Sequence, residues 1–272
     1  MIELPITDHK LKITPPQKHF VLPSPSISPT AAAAAQFTLD DLLASIPALP
    51  MQTAALGRTT DDSPLLFDLN DPHPGALLIV ADRFSGKTQL LKTIAHSLMR
   101  RNRPYEVSFQ VVSTHPEQWK NEGALHADYF STITANYQRA GADAILSACD
   151  LVESRQHGRN RGSALLFFLD GIDTLPYMDF DVRLNFEWLI QEGPAVQVWP
   201  VVSADSEIAI QNPRWVNLFR TRLAGFMHDK RTAKDLALIN QLDFSAFERG
   251  RKFAVRIGRS WLQFYTPESP FE

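Results

Sequence analysis

The stretch "ADRFSGKTQLL", residues 81–91, places residues suited to anion chemistry at the start of a helix. Backbone N–H groups at a helix N-terminus converge on a phosphate, a lysine adds a point charge, and a hydroxyl reaches Mg²⁺. Gly86, Lys87 and Thr88 supply these parts. Ala81, Asp82, Arg83, Phe84 and Ser85 before them and Gln89 after them complete a candidate nucleotide-binding loop. The usual pattern G-x-x-x-x-G-K-[ST] has a glycine where Ala81 stands, and alanine costs little there if the position keeps a negative φ. An ordinary first-turn lysine is the plainer reading of Lys87. The context favours phosphate, because the buried-strand run "ALLIVA" (76–81) precedes the loop, and Leu90, Leu91, Ile94 and Leu98 form an apolar helix face after it.

The second part of such a site is an acid at the end of another buried strand, to hold Mg²⁺ through its water shell. "LLFFLDGID" offers Asp170 after five apolar residues, so Thr88 and Asp170 are the expected metal ligands and ATP with Mg²⁺ the expected cofactors. A glutamate directly after such an aspartate would polarise an attacking water. Gly171 holds that place and has no side chain for the task. Asp173 is the candidate substitute if the turn brings it round, a turn-capping aspartate being the alternative.

These residues need a sheet and helices to position them. The chain has 272 residues, 44% hydrophobic and 21% charged, which suits one large globular domain or two small ones. Residues 1–36 carry scattered prolines, "LPSPSISPT" and a run of alanines, and read as a flexible tail. Residues 37–50 hold a short amphipathic helix, with Thr38 as N-cap, Asp40 and Asp41 in the first turn, and Leu39, Leu42, Leu43 and Ile46 as its stripe. Residues 51–272 alternate strand and helix. The strands are "ALLIVA", "YEVSFQVV", "ALLFFLD", "VQVWPVVSA" and "FRTRLAGFM", followed by a closing hairpin in "KFAVRIGRSWLQFYTP" interrupted at Gly258. That order predicts an α/β sandwich with a mainly parallel sheet.

Composition excludes several classes. No run approaches the ~20 apolar residues of a membrane span, and the N-terminus does not read as a signal peptide, so a cytoplasmic location is expected. Cys149 is the only cysteine and reads as a small buried apolar residue. The net charge of −3 argues against a DNA-coating protein. Basic clusters at 100–103, 153–163 and 248–259 could line a DNA channel, but helix-end and loop positions explain them more simply. Trp188, Trp199, Trp215 and Trp261 read as core or interface residues, and the histidines show no ligand spacing.

Taken in order, these segments resemble the FtsK/SpoIIIE-type (HerA/FtsK) P-loop ATPases, above all the ATPase domains of the EccC proteins of type VII secretion. The resemblance covers roughly residues 48–267. "LGRTTDDSPLLFDLNDPHPGALLIVADRFSGKTQLLKTIAHSL" is similar to the family's opening segment and loop. "NRPYEVSFQVVSTHPEQW" is similar to its second strand, with Ser113, Thr114 and His115 where an aspartate and a lysine or glycine usually stand. "ILSACDLVESR" and "FERGRKFAVRIGRSWLQFYTP" are similar to a family helix and to its C-terminal hairpin.

The resemblance implies a RecA-like three-layer sandwich with a C-terminal β-hairpin, a Walker A loop at Lys87 and Thr88, and a degenerate Walker B at Asp170. It also implies a hexamer of self or related FtsK-like subunits. The family's sensor falls near Ser203 to Asp205, where an acid is unusual. No arginine lies between Leu184 and Val202, where a neighbour-directed arginine is expected.

Three functions compete. The first is an ATP-driven hexameric translocase of double-stranded DNA or polypeptide. The second, which the altered catalytic elements favour, is a nucleotide-holding subunit or regulator that engages a protein partner through its tail and helix 38–47. The third is a NACHT-like signalling switch, suggested by "LDGID", although no further helical domain follows the core.

Overall fold

The computed structural model of the chain describes residues 36–160, 162–236, 242–257 and 260–268. The expected tail and the break at Gly258 lie outside the described residues. Ten strands run in the order β1 (Thr53–Thr59), β2 (Pro64–Asp68), β3 (Leu77–Ala81), β4 (Val107–Ser113), β5 (Phe130–Ala135), β6 (Ala164–Asp170), β7 (Val198–Asp205), β8 (Thr221–Ala224), β9 (Lys252–Ile257) and β10 (Ser260–Tyr265). The helices are α1 (Leu39–Ala44), α2 (Lys87–Met99), α3 (Lys120–Leu125), α4 (Arg139–Gln156), α5 (Phe180–Glu192), α6 (Ser206–Gln211), α7 (Pro213–Val216) and α8 (Lys230–Asp235).

All ten strands join one sheet in the order β2-β1-β10-β9-β8-β3-β7-β6-β4-β5. From β8 to β5 every pairing is parallel. From β8 back to β2 every pairing is antiparallel. The hairpin β9–β10 is thus the joint that ties the N-terminal hairpin β1–β2 to the parallel half. The sequence passes over β5, "FSTITA", whose polar Ser131, Thr132 and Thr134 give it no continuous apolar run.

The parallel strands are apolar on both faces because both faces are covered. Alternate residues point to opposite layers. On β3, Leu77 and Ile79 pack with Leu90, Leu91 and Ile94 of α2. Leu78 and Val80 pack on the opposite face, in the same cluster as Ile145 and Ala148 of α4 and Phe186 and Leu189 of α5. β6 divides in the same way, with Leu166 and Phe168 on the α2 side and Phe167 and Leu169 on the other. The result is the expected three-layer α/β sandwich. Cys149 is buried in the α4 layer, where burial, and to a lesser degree the Asp150 charge, pushes its thiol up to about 12.

Helix α1 has Thr38 as its N-cap, as expected, and the structure extends the cap to a capping box: the Asp41 amide donates to the Thr38 hydroxyl, and the Thr38 amide donates back to the Asp41 carboxylate at 2.9 Å. Its apolar stripe is taken up within this chain. Phe37, Leu42, Leu43 and Ile46 close a third cluster over Ala55 of β1, and the Glu268 amide donates to the Phe37 carbonyl. The segment expected to serve a partner is therefore fastened to the antiparallel half of the sheet by both ends of the described chain.

Arg155, in one of the basic clusters, is likewise structural. Its guanidinium donates to the carbonyls of Val196, Gln197 and Ser163, holding the end of α4 against the starts of β6 and β7.

Leu42 is fully buried. Leu42→Ala should lower the unfolding free energy by about 2–4 kcal/mol, as cavity formation in a packed cluster does. Urea denaturation followed by circular dichroism measures it. A helix that merely links segments would show almost no change.

Candidate functional site

The parallel strands end together, and their register sets a row of polar residues along one rim of the sheet. Asp170 at the end of β6 pairs in register with Ser113 on β4 and Ser203 on β7, and Ala81 at the end of β3 pairs with Asp205 on β7. A cleft of about 830 Å³ opens above this rim. Such a volume suits a nucleotide-sized ligand.

The phosphate-type loop leaves β3 at Ala81. Ala81 keeps an ordinary φ, so the missing glycine imposes no backbone strain. Its methyl group is accommodated by Gly225 opposite, where a Cβ would come within 3.0 Å of it. Asp82 anchors the loop: its carboxylate accepts from the Ser206 hydroxyl and from the His228 amide. Ala81 and Asp82 therefore support the loop, while Arg83 to Gln89 line the cleft. Phe84 sits at φ 56° with its ring almost fully exposed. Gly86 caps α2 at φ 77° and is backed by Gly250, whose Cα would lie 2.5 Å from any added Cβ. Only glycine fits there. Among the described residues the amides of Gly86, Lys87 and Thr88 find no acceptor, as the opening of a helix leaves them.

Lys87 turns back on its own loop. Its ammonium donates to the carbonyls of Ala81 and Asp82 and to the Asp205 carboxylate at 2.6 Å. Arg83 holds the other Asp205 oxygen at 3.0 Å. Lys87 and Asp205 are both largely buried, whereas Arg83 is mostly exposed.

Asp170 gathers four donors. The Thr88 hydroxyl reaches both its oxygens at 3.0 Å, Ser203 donates at 2.8 Å, the Trp119 indole at 3.0 Å, and Ser113 at 3.4 Å. Trp119 is a site residue that the sequence does not reveal. It precedes α3, is fully buried, and stacks on Phe168 with centroids 5.5 Å apart. A lone tryptophan after "HPEQ" carries no signal of this contact. Thr88 and Asp170 together offer a hydroxyl and a carboxylate, the all-oxygen donor chemistry that suits Mg²⁺.

The turn after β6 is built around Gly171 at φ 99°. A Cβ here would lie 2.2 Å from Thr114 Oγ1. That hydroxyl is held by the Asn136 amide at 2.8 Å, and the same amide donates to the Gly171 carbonyl at 2.9 Å. The turn does bring Asp173 into the cleft. Burial pushes its carboxyl above the ordinary aspartate range. The charges of Asp205 and Asp170 add to the rise, and those of Lys87 and Arg83 oppose it. One Asp173 oxygen is buried without a hydrogen-bond partner among the described residues.

The histidines correct the sequence expectation. His96 on α2, with Glu122 and His126 on and just after α3, place their ligand atoms within 4.8 Å of one another. Their sequence spacing conceals this because α2 and α3 meet only in the folded sheet layer.

No protein-family model matches the chain, and no curated protein resembles it in sequence. Solved structures do. EccC (ATPases 2 and 3) of Thermomonospora curvata, in complex with a signal sequence peptide, superposes with a TM-score of 0.64 at 12% identity over 86% of this chain and 43% of that one. EssC (ATPases 2 and 3) of Geobacillus thermodenitrificans gives 0.66 at 11% over 92% of this chain and 49% of that one. The pCW3 conjugation coupling protein TcpA, in its monomer form with ATPγS, gives 0.63 at 14% over 85% and 69%. The chain thus spans less than half of the EccC and EssC chains. Among the described residues no helix is long and apolar enough to cross a membrane. At these identities the likeness is one of architecture, and the chain has the fold of the FtsK/SpoIIIE-type P-loop ATPases and resembles the EccC ATPase domains.

Proposed function

We propose that the chain is an ATP- and Mg²⁺-holding FtsK-like domain that hydrolyses nucleotide slowly or not at all. In this role it is a nucleotide-holding subunit or regulator in a larger assembly, with related FtsK-like subunits beside it. Lys87 and the amides of Gly86 to Thr88 would hold the phosphates, and Thr88 with Asp170 would hold the metal. Bound Mg²⁺ would neutralise phosphate charge.

One observation carries the claim of weak turnover. The space a glutamate would need after Asp170 is filled by the Thr114 hydroxyl, itself fixed by Asn136. A water-orienting group must stand within hydrogen-bond reach of the nucleophile, and nothing at position 171 can. Asp173 is the remaining acid at that end of the cleft. It is the candidate catalytic residue, and it shares the cleft lining with four other carboxylates, those of Glu117, Glu122, Asp170 and Asp205.

Asp205 adds to the effect. A triphosphate claiming Lys87 must displace this carboxylate, and a γ-phosphate beside it meets like charge. The net charge of −3 and the structural use of Arg155 count against a DNA motor.

ATP affinity and steady-state turnover, measured alone and with double-stranded DNA beside Lys87→Ala, test the proposal. The expected result is Mg²⁺-dependent binding that Lys87→Ala weakens on the order of tenfold or more, without turnover in either condition. DNA-stimulated turnover would overturn the nucleotide-holding role and restore the motor.

Gly171→Glu is expected to leave turnover unrestored and to destabilise the fold by roughly 1–3 kcal/mol, through its φ and the clash with Thr114. Thermal unfolding and a phosphate-release assay read the two effects.

Asp173 yields a pH signature in the nucleotide-free protein. A carboxyl raised in the fold above its ordinary 3.8 contributes stability that is complete below that value and is lost as pH rises through the folded pKa. Asp173→Asn should therefore stabilise the protein relative to wild type at pH 7, and the gain should shrink towards pH 4. Melting curves at both pH values decide it, and a pH-independent difference would refute the assignment.

A further inference from the structure

The cluster formed by His96, Glu122 and His126 lies beside the nucleotide cleft, whose wall it shares through Glu122. Glu122 is almost fully buried and holds two partners. His96 Nε2 lies 2.8 Å from one carboxylate oxygen, and the Lys92 ammonium lies 3.3 Å from the other. Hydrogen bonding thus accounts for His96 and Lys92 but not for His126. The His126 ring stands edge-on to the His96 ring at 5.6 Å, and no hydrogen bond reaches its ring nitrogens among the described residues. Its backbone amide donates to the Glu122 carbonyl, so the two residues sit one helical turn apart on the same face.

The geometry points to a divalent transition-metal site of the zinc class, built by His96, Glu122 and His126. Two imidazoles and a carboxylate form a recognised three-ligand set, with water able to complete a tetrahedron. Tetrahedral ligands about 2.1 Å from zinc stand about 3.4 Å apart, so His96 and Glu122 need to part by only about 0.6 Å. From the 4.8 Å limit of the cluster, the half-buried His126 ring needs to close by at most about 1.4 Å. Lys92 would stay on the second carboxylate oxygen and hold Glu122 to single-oxygen ligation, an outer contact of the kind that orients metal ligands.

The site has a structural consequence. His96 lies in the last turn of α2, while Trp119 immediately precedes α3 and donates to Asp170. A metal there would staple α2 to α3 and hold the indole on the carboxylate expected to bind Mg²⁺. Glu122 and Lys92 also line the cleft, so the staple would stiffen one of its walls.

Chelator-treated protein comprising all 272 residues, titrated with Co²⁺ and then with Zn²⁺ as competitor, tests the inference without nucleotide or turnover. The expected result is one equivalent of Co²⁺ with the visible d–d absorption of a tetrahedral site, displaced by Zn²⁺, and a melting temperature that rises on Zn²⁺ addition. His96→Gln on α2 and His126→Ala after α3 should each weaken binding at least about tenfold, and His157→Ala, at an exposed histidine outside the cluster, should not. Circular dichroism establishes that each variant is folded, and because the two variants alter different elements, either one suffices if the other fails to fold. Absence of a tetrahedral Co²⁺ spectrum in the wild type, or equal binding by wild type and a folded cluster variant, would overturn the site.

Discussion

The Asp170 carboxylate is the constraint on which the rest of the rim depends. It lies at the end of a strand buried on both faces, and its oxygens accept from Thr88 on α2, Ser203 on β7, Ser113 on β4 and Trp119 before α3. Four elements that meet nowhere else in sequence are thereby fixed to one side chain. A carboxylate at the rim of an apolar sheet is tolerable because its lone pairs are occupied, and the same satisfaction determines where α2 begins relative to β6. The sheet register makes this possible: Ser113, Asp170 and Ser203 are partners on adjacent strands, so they need no separate placement.

β7 lies between the strand that carries the loop and the strand that carries Asp170, which places its last residues in the middle of the cleft. Two polar residues two positions apart on a strand share a face. Ser203 consequently serves Asp170, while Asp205 serves Lys87 and Arg83. This arrangement neutralises the loop cation internally. A phosphate entering the cleft exchanges one anion for another rather than filling an unmet charge, so part of its electrostatic gain offsets the broken Lys87–Asp205 pair.

The layer order and the loop were legible in the sequence because they rest on local patterns. Continuous apolar runs such as "ALLFFLD" mark strands covered on both faces, and the period of Leu90, Leu91, Ile94 and Leu98 marks α2. Asp170 and Gly171 were legible for the same reason. β5 was not, since its polar Ser131, Thr132 and Thr134 leave no strong apolar pattern on this edge strand. Trp119 and the histidine cluster were not legible either, because each acts only across elements: Trp119 becomes a site residue when the turn before α3 brings its indole to Asp170 and Phe168 of β6, and His96 meets His126 when the ends of α2 and α3 come together. Helix α1 shows the opposite case. Its stripe was visible, but an amphipathic pattern states that a face is covered and not by what.

Gly171 and Thr114 are better understood as a pair than as a missing residue. Thr114 follows β4 and Gly171 follows β6, and their approach is set by the parallel pairing of those strands together with Asn136 at the end of β5. The glycine permits φ 99°, which turns the chain so that Asp173 enters the cleft, and the threonine fills the volume that a side chain at 171 would occupy. Each residue therefore excludes the alternative at the other position. A change at one site alone would leave either a clash or an unfilled gap beside a buried amide, so the geometry after β6 is held by packing in the nucleotide-free protein. That the hydroxyl, the amide and the glycine carbonyl satisfy one another means the fold reaches its rest state with this end of the cleft already closed to a glutamate.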